Sequence, residues 1–277
     1  MIVTTTRAEL AEALGDTARE QIKLVPTMGA LHAGHTSLVR AAREGGGVVV
    51  VSVFVNPTQF NDPTDLRNYP RTPKADLALL EAEGADVVFM PTVEEIYPEP
   101  DTRVFDFGTL DKVMEGATRP GHFNGVAQVV SRLFELVGPR QAFFGQKDFQ
   151  QVAVVRAMVS DLGIDVEVVE CPIVREADGL AMSSRNTLLT AEYRAAAPDI
   201  FRALELGAEK VGEMTPRQLE QWVAGEVERG GLLRVIYCKI VDADTLAEAT
   251  DWNTPPAKHA CIAVQAGSVR LIDNYRY

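Results

Sequence analysis

A doubly wound α/β fold with a parallel sheet, followed by a smaller α+β domain, is what the patterning of this 277-residue chain predicts. Three observations carry that prediction. Strand-like and helix-like stretches alternate up to about residue 175, as parallel strands with crossover helices require. The run GVVVVSVFVNP (47–57) is almost continuously β-branched, which is how a strand covered on both faces reads. Beyond residue 175 the chain turns to alanine- and glutamate-rich helical stretches and then strands. The expected domains are therefore 1–175 and 176–277.

The elements follow in order. Ile22–Pro26 (IKLVP) is short and apolar, a strand. Gly34–Glu44 places Leu38, Val39 and Ala42 on one side of a helix. After the 47–57 strand, Ala75–Glu83 is helical and Asp86–Met90 (DVVFM) a strand. Gly125–Val137 is helical, Gln141–Phe144 a strand, Phe149–Leu162 helical and Val166–Val174 a strand. Ala191–Gly212 and Thr215–Gly230 are helical, the second with Thr215 as cap and Pro216 at its first position. LLRVIYCKIVD (232–242) and KHACIAVQAGSVRLIDNYRY (258–277) read as strands, with a hairpin turn at Ala266-Gly267-Ser268.

Composition sets limits. Hydrophobic residues make up 46% of the chain, ample for a core, and the formal net charge is −12. That charge argues against a protein that binds nucleic acid by broad phosphate neutralisation, though not against a small basic pocket. The three cysteines, Cys171, Cys238 and Cys261, are widely spaced and read as buried free thiols of a reducing compartment. The N-terminal MIVTTTRAEL lacks a signal-peptide pattern, and no apolar run reaches the roughly 18 residues that span a bilayer. A cytoplasmic protein with no membrane partner is expected.

In open parallel sheets, ligands bind beyond the carboxyl ends of the strands. After the first strand comes TMGALHAGH (27–35), which holds His32 and His35 between glycines at the start of a helix. Backbone N–H groups and the helix dipole there favour an anion. A solvated turn, or a His-x-x-His metal pair, are the alternatives. After the β-branched strand comes NPTQF (56–60), where Asn56 and Gln59 suit a small polar substrate or form an ordinary Asn-Pro turn. After AFF comes GQKDFQQ (145–151). Lys147 offers a point charge for phosphate, and Asp148 suits a ribose hydroxyl or a helix cap. Gln150 and Gln151 lie in the helix's first turn, where both can face the same cleft. After VECPIV comes READGLAMSSRN (175–186), where Ser183, Ser184 and Arg185 form a phosphate grip or a helix cap beside a surface arginine. No nucleophile stands with its base. The inventory favours catalysis by positioning and charge stabilisation, as in reactions at phosphorus.

MGALHAGH and MSSRN resemble the HIGH and KMSKS signatures of the nucleotidylyltransferase superfamily. With PTMGALHAGH (26–35), VFVNPTQF (53–60), YPRT (69–72), RPGHFNGV (119–126), FGQKDFQQ (144–151), DGLAMSSRN (178–186) and RLIDN (270–274), the chain more closely resembles the pantothenate synthetase (pantoate–β-alanine ligase) family. The resemblance spans nearly the whole chain in the family's order. It implies a Rossmann-like N-terminal domain, a smaller C-terminal domain that closes over it, and a homodimer. It also implies ATP, (R)-pantoate and β-alanine as substrates, with Mg²⁺, and a pantoyl-adenylate intermediate.

Residue by residue, the resemblance assigns ATP binding to Met28, Gly29, Ala30, Leu31, His32, Ala33, Gly34 and His35, to Gly145, Gln146, Lys147 and Asp148, to the backbone of Val174, and to Met182, Ser183, Ser184 and Arg185. His35, His32, Lys147 and Arg185 take the catalytic roles. His35 stands where a proton donor is usually assigned, though stabilising phosphate charge is the more natural work for an imidazole there. Gln59 and Gln151 match the pantoate ligands, with Gln59 also near β-alanine, and Asn56 is expected to help orient substrate. Gln146 stands where some members carry Glu. Where some members have adjacent aspartates near the metal, this chain has Ala75-Asp76, so Asp76 is either a metal-side carboxylate or a helix cap. Dimer contacts are expected from an exposed edge of the 47–57 strand or from neighbouring helices. Another transferase on the same fold would lack the two glutamines, and a regulatory relative would lose His35, Lys147 or Arg185.

Overall fold

The computed structural model describes residues 1–254 and 257–277. Nine strands occur among them: β1 (Ile2–Thr4), β2 (Ile22–Thr27), β3 (Val48–Val53), β4 (Val87–Phe89), β5 (Gln141–Gly145), β6 (Glu167–Cys171), β7 (Leu233–Asp242), β8 (Lys258–Ala266) and β9 (Val269–Arg276). The helices are α1 (Arg7–Leu14), α2 (Ala33–Arg43), α3 (Pro63–Asn68), α4 (Pro73–Ala82), α5 (Val93–Ile96), α6 (Met114–Thr118), α7 (His122–Val137), α8 (Phe149–Asp161), α9 (Ala191–Ala196), α10 (Asp199–Ala208) and α11 (Pro216–Glu228). Two compact units result. Met1–Gly108, Arg119–Gln146 and Gln151–Pro172 form the first, and Thr109–Thr118, Lys147–Gln150 and Ile173–Tyr277 the second.

The first unit carries a six-stranded sheet in the order β1-β4-β3-β2-β5-β6, with every pair parallel. Val49, Val50 and Val51 of β3 are almost fully buried, since helices cover both faces. Each such side chain taken from water contributes about 1.5–3 kcal/mol. β3 is also paired on both edges, to β2 and β4. It therefore offers no edge to a second copy, contrary to the sequence-based expectation.

Strand order reverses between β2 and β5, because the chain steps from β2 through β3 to β4 on one side and then crosses to β5 on the other. Ligands bind beyond the carboxyl ends of the strands at such a point. Pro26 helps to open it. Proline has no N–H to give to a ladder, and β2 pairs with β5 only at Lys23 and Leu24, while its pairing with β3 runs on to Thr27.

The second unit is built on the antiparallel sheet β7-β8-β9, whose β8–β9 hairpin turns through Gly267 and Ser268. Its core joins Leu204, Leu219, Val223, Ile240 and Ile262 between the sheet and α10 and α11. The stretch expected as one helix over 191–212 is two, α9 and α10, which part at Ala197-Pro198 because proline cannot donate within a continuing helix. β1 and helices α1, α3, α5 and α6 are elements the sequence reading does not pick out, and none exceeds eight residues. At that length periodicity is too short to register.

Candidate active site

In the first unit, the chain leaves β2 through Met28 and turns at Gly29 (φ 82°) and Ala30 (φ 49°). Two backbone N–H groups of this turn point at one carboxylate: Ala30 N donates to Asp76 Oδ2 at 3.1 Å and Leu31 N to Asp76 Oδ1 at 2.8 Å. His32 then caps α2. Its Nδ1 accepts from Gly34 N at 3.2 Å, and His35 Nδ1 accepts from His32 N at 3.3 Å. The two rings lie 4.1 Å apart. An Nδ1 that accepts an N–H carries no proton, so each neutral ring keeps its proton on Nε2. The pair lies at a helix N-terminus, where anions are favoured. The same bonds engage the nitrogens that a His-x-x-His metal pair would use on this side.

The second strand end is tied to the first. Gln59 Nε2 reaches Met28 Sδ at 3.0 Å, and Gln59 Oε1 accepts from Asn56 Nδ2 at 3.2 Å. Asn56 itself is 1% exposed. Its Nδ2 also donates to Gly125 O, and its Oδ1 accepts from Tyr97 Oη and from Thr58. Its amide is thus engaged by protein partners on both donor and acceptor sides. It orients Gln59. Arg119 and His122 hold the Gln59 carbonyl, at 3.3 and 2.8 Å. A Cβ on Gly125 would lie 2.4 Å from Thr58 O, so only glycine lets α7 pack on this turn. Gln151, half-buried in the first turn of α8, belongs to this unit.

Asp76 is 2% exposed, and besides the two N–H groups it accepts from Thr72 Oγ1 at 3.0 Å. It sits inside the first turn of α4 rather than at the cap, which is Thr72. Among the described residues no three His, Cys, Asp or Glu side chains group as a metal site. Asp76, buried and committed to three donors, does not fit a resident ion, and the expectation of a metal-side carboxylate gives way to a brace on the 29–31 turn.

In the second unit, Lys147 Nζ rests on Asp148 at 3.2 and 3.3 Å, and the Lys147 carbonyl accepts from Asn274 Nδ2 at 3.1 Å. Arg175 grips Asp273 with both guanidinium nitrogens, at 2.6 and 3.0 Å, and lies over the Phe201 ring. Met182 N donates to the Val174 carbonyl at 3.0 Å, which ties two of the expected nucleotide segments to each other. Ser183 caps the short 184–188 turn, its Oγ accepting from Arg185 N at 3.3 Å, while Ser184 is buried and Arg185 half-buried. Gln150 is spent on 109–118: its Nε2 donates to the carbonyls of Leu110 and Val113 and its Oε1 accepts from Glu115 N. Both amide hydrogens are therefore engaged within the second unit. Gly145 ends β5 and Gln146 follows it, both in the first unit.

A family model described as pantoate-beta-alanine ligase matches residues 2–276. The chain belongs to the pantoate–β-alanine ligase family. Members of this family are carbon–nitrogen bond-forming ligases. The chain is similar to pantothenate synthetase of Porphyromonas gingivalis, 54% identical over 259 residues that cover 94% of this chain and 92% of that one. The Gluconobacter oxydans enzyme of the same name is 50% identical over 93% and 94% of the two chains. Among solved structures, pantothenate synthetase from Thermus thermophilus superposes with a TM-score of 0.93 at 46% identity, over 99% of both chains. Pantoate-beta-alanine ligase from Francisella tularensis, complexed with beta-gamma ATP and beta-alanine, does so at 0.84 and 30% identity, over 100% of this chain and 97% of that one.

Against this family, the structure adds residues to which the sequence reading assigns no role: Asn56's partner Tyr97, the Gln59 supports Arg119 and His122, and Asp273 and Asn274. RPGHFNGV and RLIDN carry the resemblance as strings, but their work is contact at long range.

Proposed function

We propose that the chain joins (R)-pantoate to β-alanine in two steps at the residues described above. A carboxylate oxygen of pantoate attacks the α-phosphorus of ATP. The new P–O bond forms as the bond to the bridging oxygen breaks, and pyrophosphate leaves with that electron pair. The amine of β-alanine then attacks the acyl carbon. The C–N bond forms, AMP leaves with the electrons of the acyl–oxygen bond, and the amine gives up a proton.

The observation that carries this reading is the capped histidine pair, set at a helix N-terminus beyond the switch point of a parallel sheet. Donors placed where charge develops are the largest single catalytic contribution in reactions of this kind. We assign His35 and His32 to the ATP phosphates as such donors, with Met28–Leu31, Ala33 and Gly34 lining the nucleotide. Lys147 and Arg185 supply cationic charge. Lys147 Nζ pairs with the adjacent, partly exposed Asp148 carboxylate, a pairing worth about 0–1 kcal/mol, so exchanging it for phosphate oxygens costs little. Gly145, Gln146, Asp148, Val174, Met182, Ser183 and Ser184 complete the nucleotide contacts. Gln59 and Gln151 bind pantoate, the former preset by Asn56. Magnesium enters with ATP as part of the substrate, held by phosphate oxygens. We further assign residues 1–175 and 176–277 as the nucleotide- and pantoate-binding domain and the smaller C-terminal domain, working as a cytoplasmic homodimer. No helix among the described residues is long and apolar enough to cross a membrane.

The test is pyrophosphate release from ATP and Mg²⁺ with pantoate alone, then with β-alanine added. A stoichiometric burst that becomes turnover on adding β-alanine is expected. Silence with pantoate, with release on another acid, would assign a different substrate.

A further inference from the structure

We propose that Asp76 is a positioning residue for nucleotide binding. Its carboxylate holds the Gly29–Leu31 turn in the one shape that delivers His32 and His35 to the ligand. The inference rests on the function proposed above for those histidines, and deepens it.

Locally the turn has one long bond, Gly29 N to Thr27 Oγ1 at 3.3 Å. Ala30 lies at φ 49°, a left-handed region that a side chain with a Cβ adopts only at a cost. Gly29, at φ 82°, is packed so closely that an added Cβ would sit 3.1 Å from Val53 Cγ1 and 3.2 Å from Asp76 Oδ2. Shorter bonds come from the carboxylate, buried to 2% exposure, which accepts from Ala30 N, Leu31 N and Thr72 Oγ1 at 3.1, 2.8 and 3.0 Å. Hydrogen bonds to an ionised acceptor are roughly twice as strong as neutral ones. A buried charge must be satisfied in this way to persist at all. Leu31 is followed at once by His32, the cap of α2, so the position of the turn sets the position of the cap and of both rings.

Both oxygens must accept. Asparagine has the same shape but would turn an NH₂ group towards a backbone N–H, and donor would face donor. The substitution therefore removes a clamp with little change in volume. A metal ligand at the same place would behave differently, because its loss changes how much Mg²⁺ is needed rather than how the empty loop is shaped.

The experiment uses the full chain with Asp76→Asn and, as a milder variant, Thr72→Val, which removes only the hydroxyl that steadies the carboxylate. Calorimetry reads the affinity for a non-hydrolysable ATP analogue with Mg²⁺, without pantoate. Steady-state kinetics then give KM for ATP and for pantoate, and the Mg²⁺ concentration at half-maximal rate. Asp76→Asn should weaken the analogue about tenfold or more, as loss of a charge-assisted bond does. KM for ATP should rise with it, while KM for pantoate and the Mg²⁺ requirement stay within about twofold. Thr72→Val should shift ATP in the same direction by a smaller factor, which keeps the test decisive if Asp76→Asn folds poorly. Wild-type affinity for the analogue in both variants overturns the proposal. So does a raised Mg²⁺ requirement with unchanged nucleotide affinity, which would make Asp76 a metal ligand. The calorimetry needs no acid substrate, so an error in the assignment of pantoate would show separately, as pyrophosphate silence in the wild-type chain.

Discussion

The segment after β2 and the one after β5 look alike in the sequence, each a glycine beside residues that suit phosphate, yet they are held by different physics. The histidine segment is organised locally: two caps span two or three residues, and a single outside carboxylate braces the turn. The Lys147 segment is organised from afar. Its carbonyl is held by Asn274, 127 residues away in sequence, and the neighbouring Asn274 N–H donates to Asp273, which grips Arg175 across 98 residues. Local organisation is read from spacing. Distant organisation needs the fold before it exists.

The comparison breaks first, and most visibly, at Asp273. Removing one partner of a buried ion pair costs about 3–5 kcal/mol, so Asp273→Ala should lower the urea midpoint sharply, and a midpoint near wild type would mean that the distant brace is dispensable. Next in size are the ends of the two segments themselves. His35→Ala and Lys147→Ala should each cut pantoate-dependent pyrophosphate release by about 10²-fold, the scale for losing one charge-stabilising donor. His35→Ala should also lose about 1 kcal/mol of helix capping, which Lys147→Ala should not. Equal stability losses in the two would erase the distinction between local and distant support.

Asn274→Ala sharpens the distinction further. Loss of one neutral hydrogen bond should raise KM for ATP about fivefold. In a chain that already carries Lys147→Ala, the same change should cost less than about twofold, because the group it positions is gone. Additive losses would assign Asn274 some other task.

The smallest effect serves as a control on charge. Arg103's guanidinium holds the Asp101 carboxyl below the usual aspartate range. A lowered folded pKa gives stability that is present above the unfolded value and lost as pH falls through the folded one. Asp101→Asn should therefore be less stable than wild type at pH 7, by about 1 kcal/mol or less, and the gap should close on acidification below the ordinary aspartate range. A gap that persists in acid would show that packing, not charge, is what the substitution removes.

Much of the fold is legible in the chain because hydrophobic period is a local property. The unbroken valines of β3 announce a strand covered on both faces, and the ends of the apolar stretches locate the polar segments. Asn56 and Asp76 are less legible for one reason. Asn and Asp side chains give no sign in sequence of whether their polar atoms face a ligand or the protein's own backbone. Gln150 and Gln151 make the point most sharply, as neighbours of one chemistry that fall in different units, the first spent on the carbonyls of Leu110 and Val113.

By itself, then, the sequence determined the α/β class and the family, and it singles out the loops proposed to hold the chemistry, since these rest on periodicity and on motifs contiguous in the chain. Only the tertiary structure decided which polar groups the protein itself engages. Hydrogen-bond partners are settled by who comes within about 3 Å, and for Asn56, Asp76 and Lys147 the partners lie 69, 45 and 127 residues away.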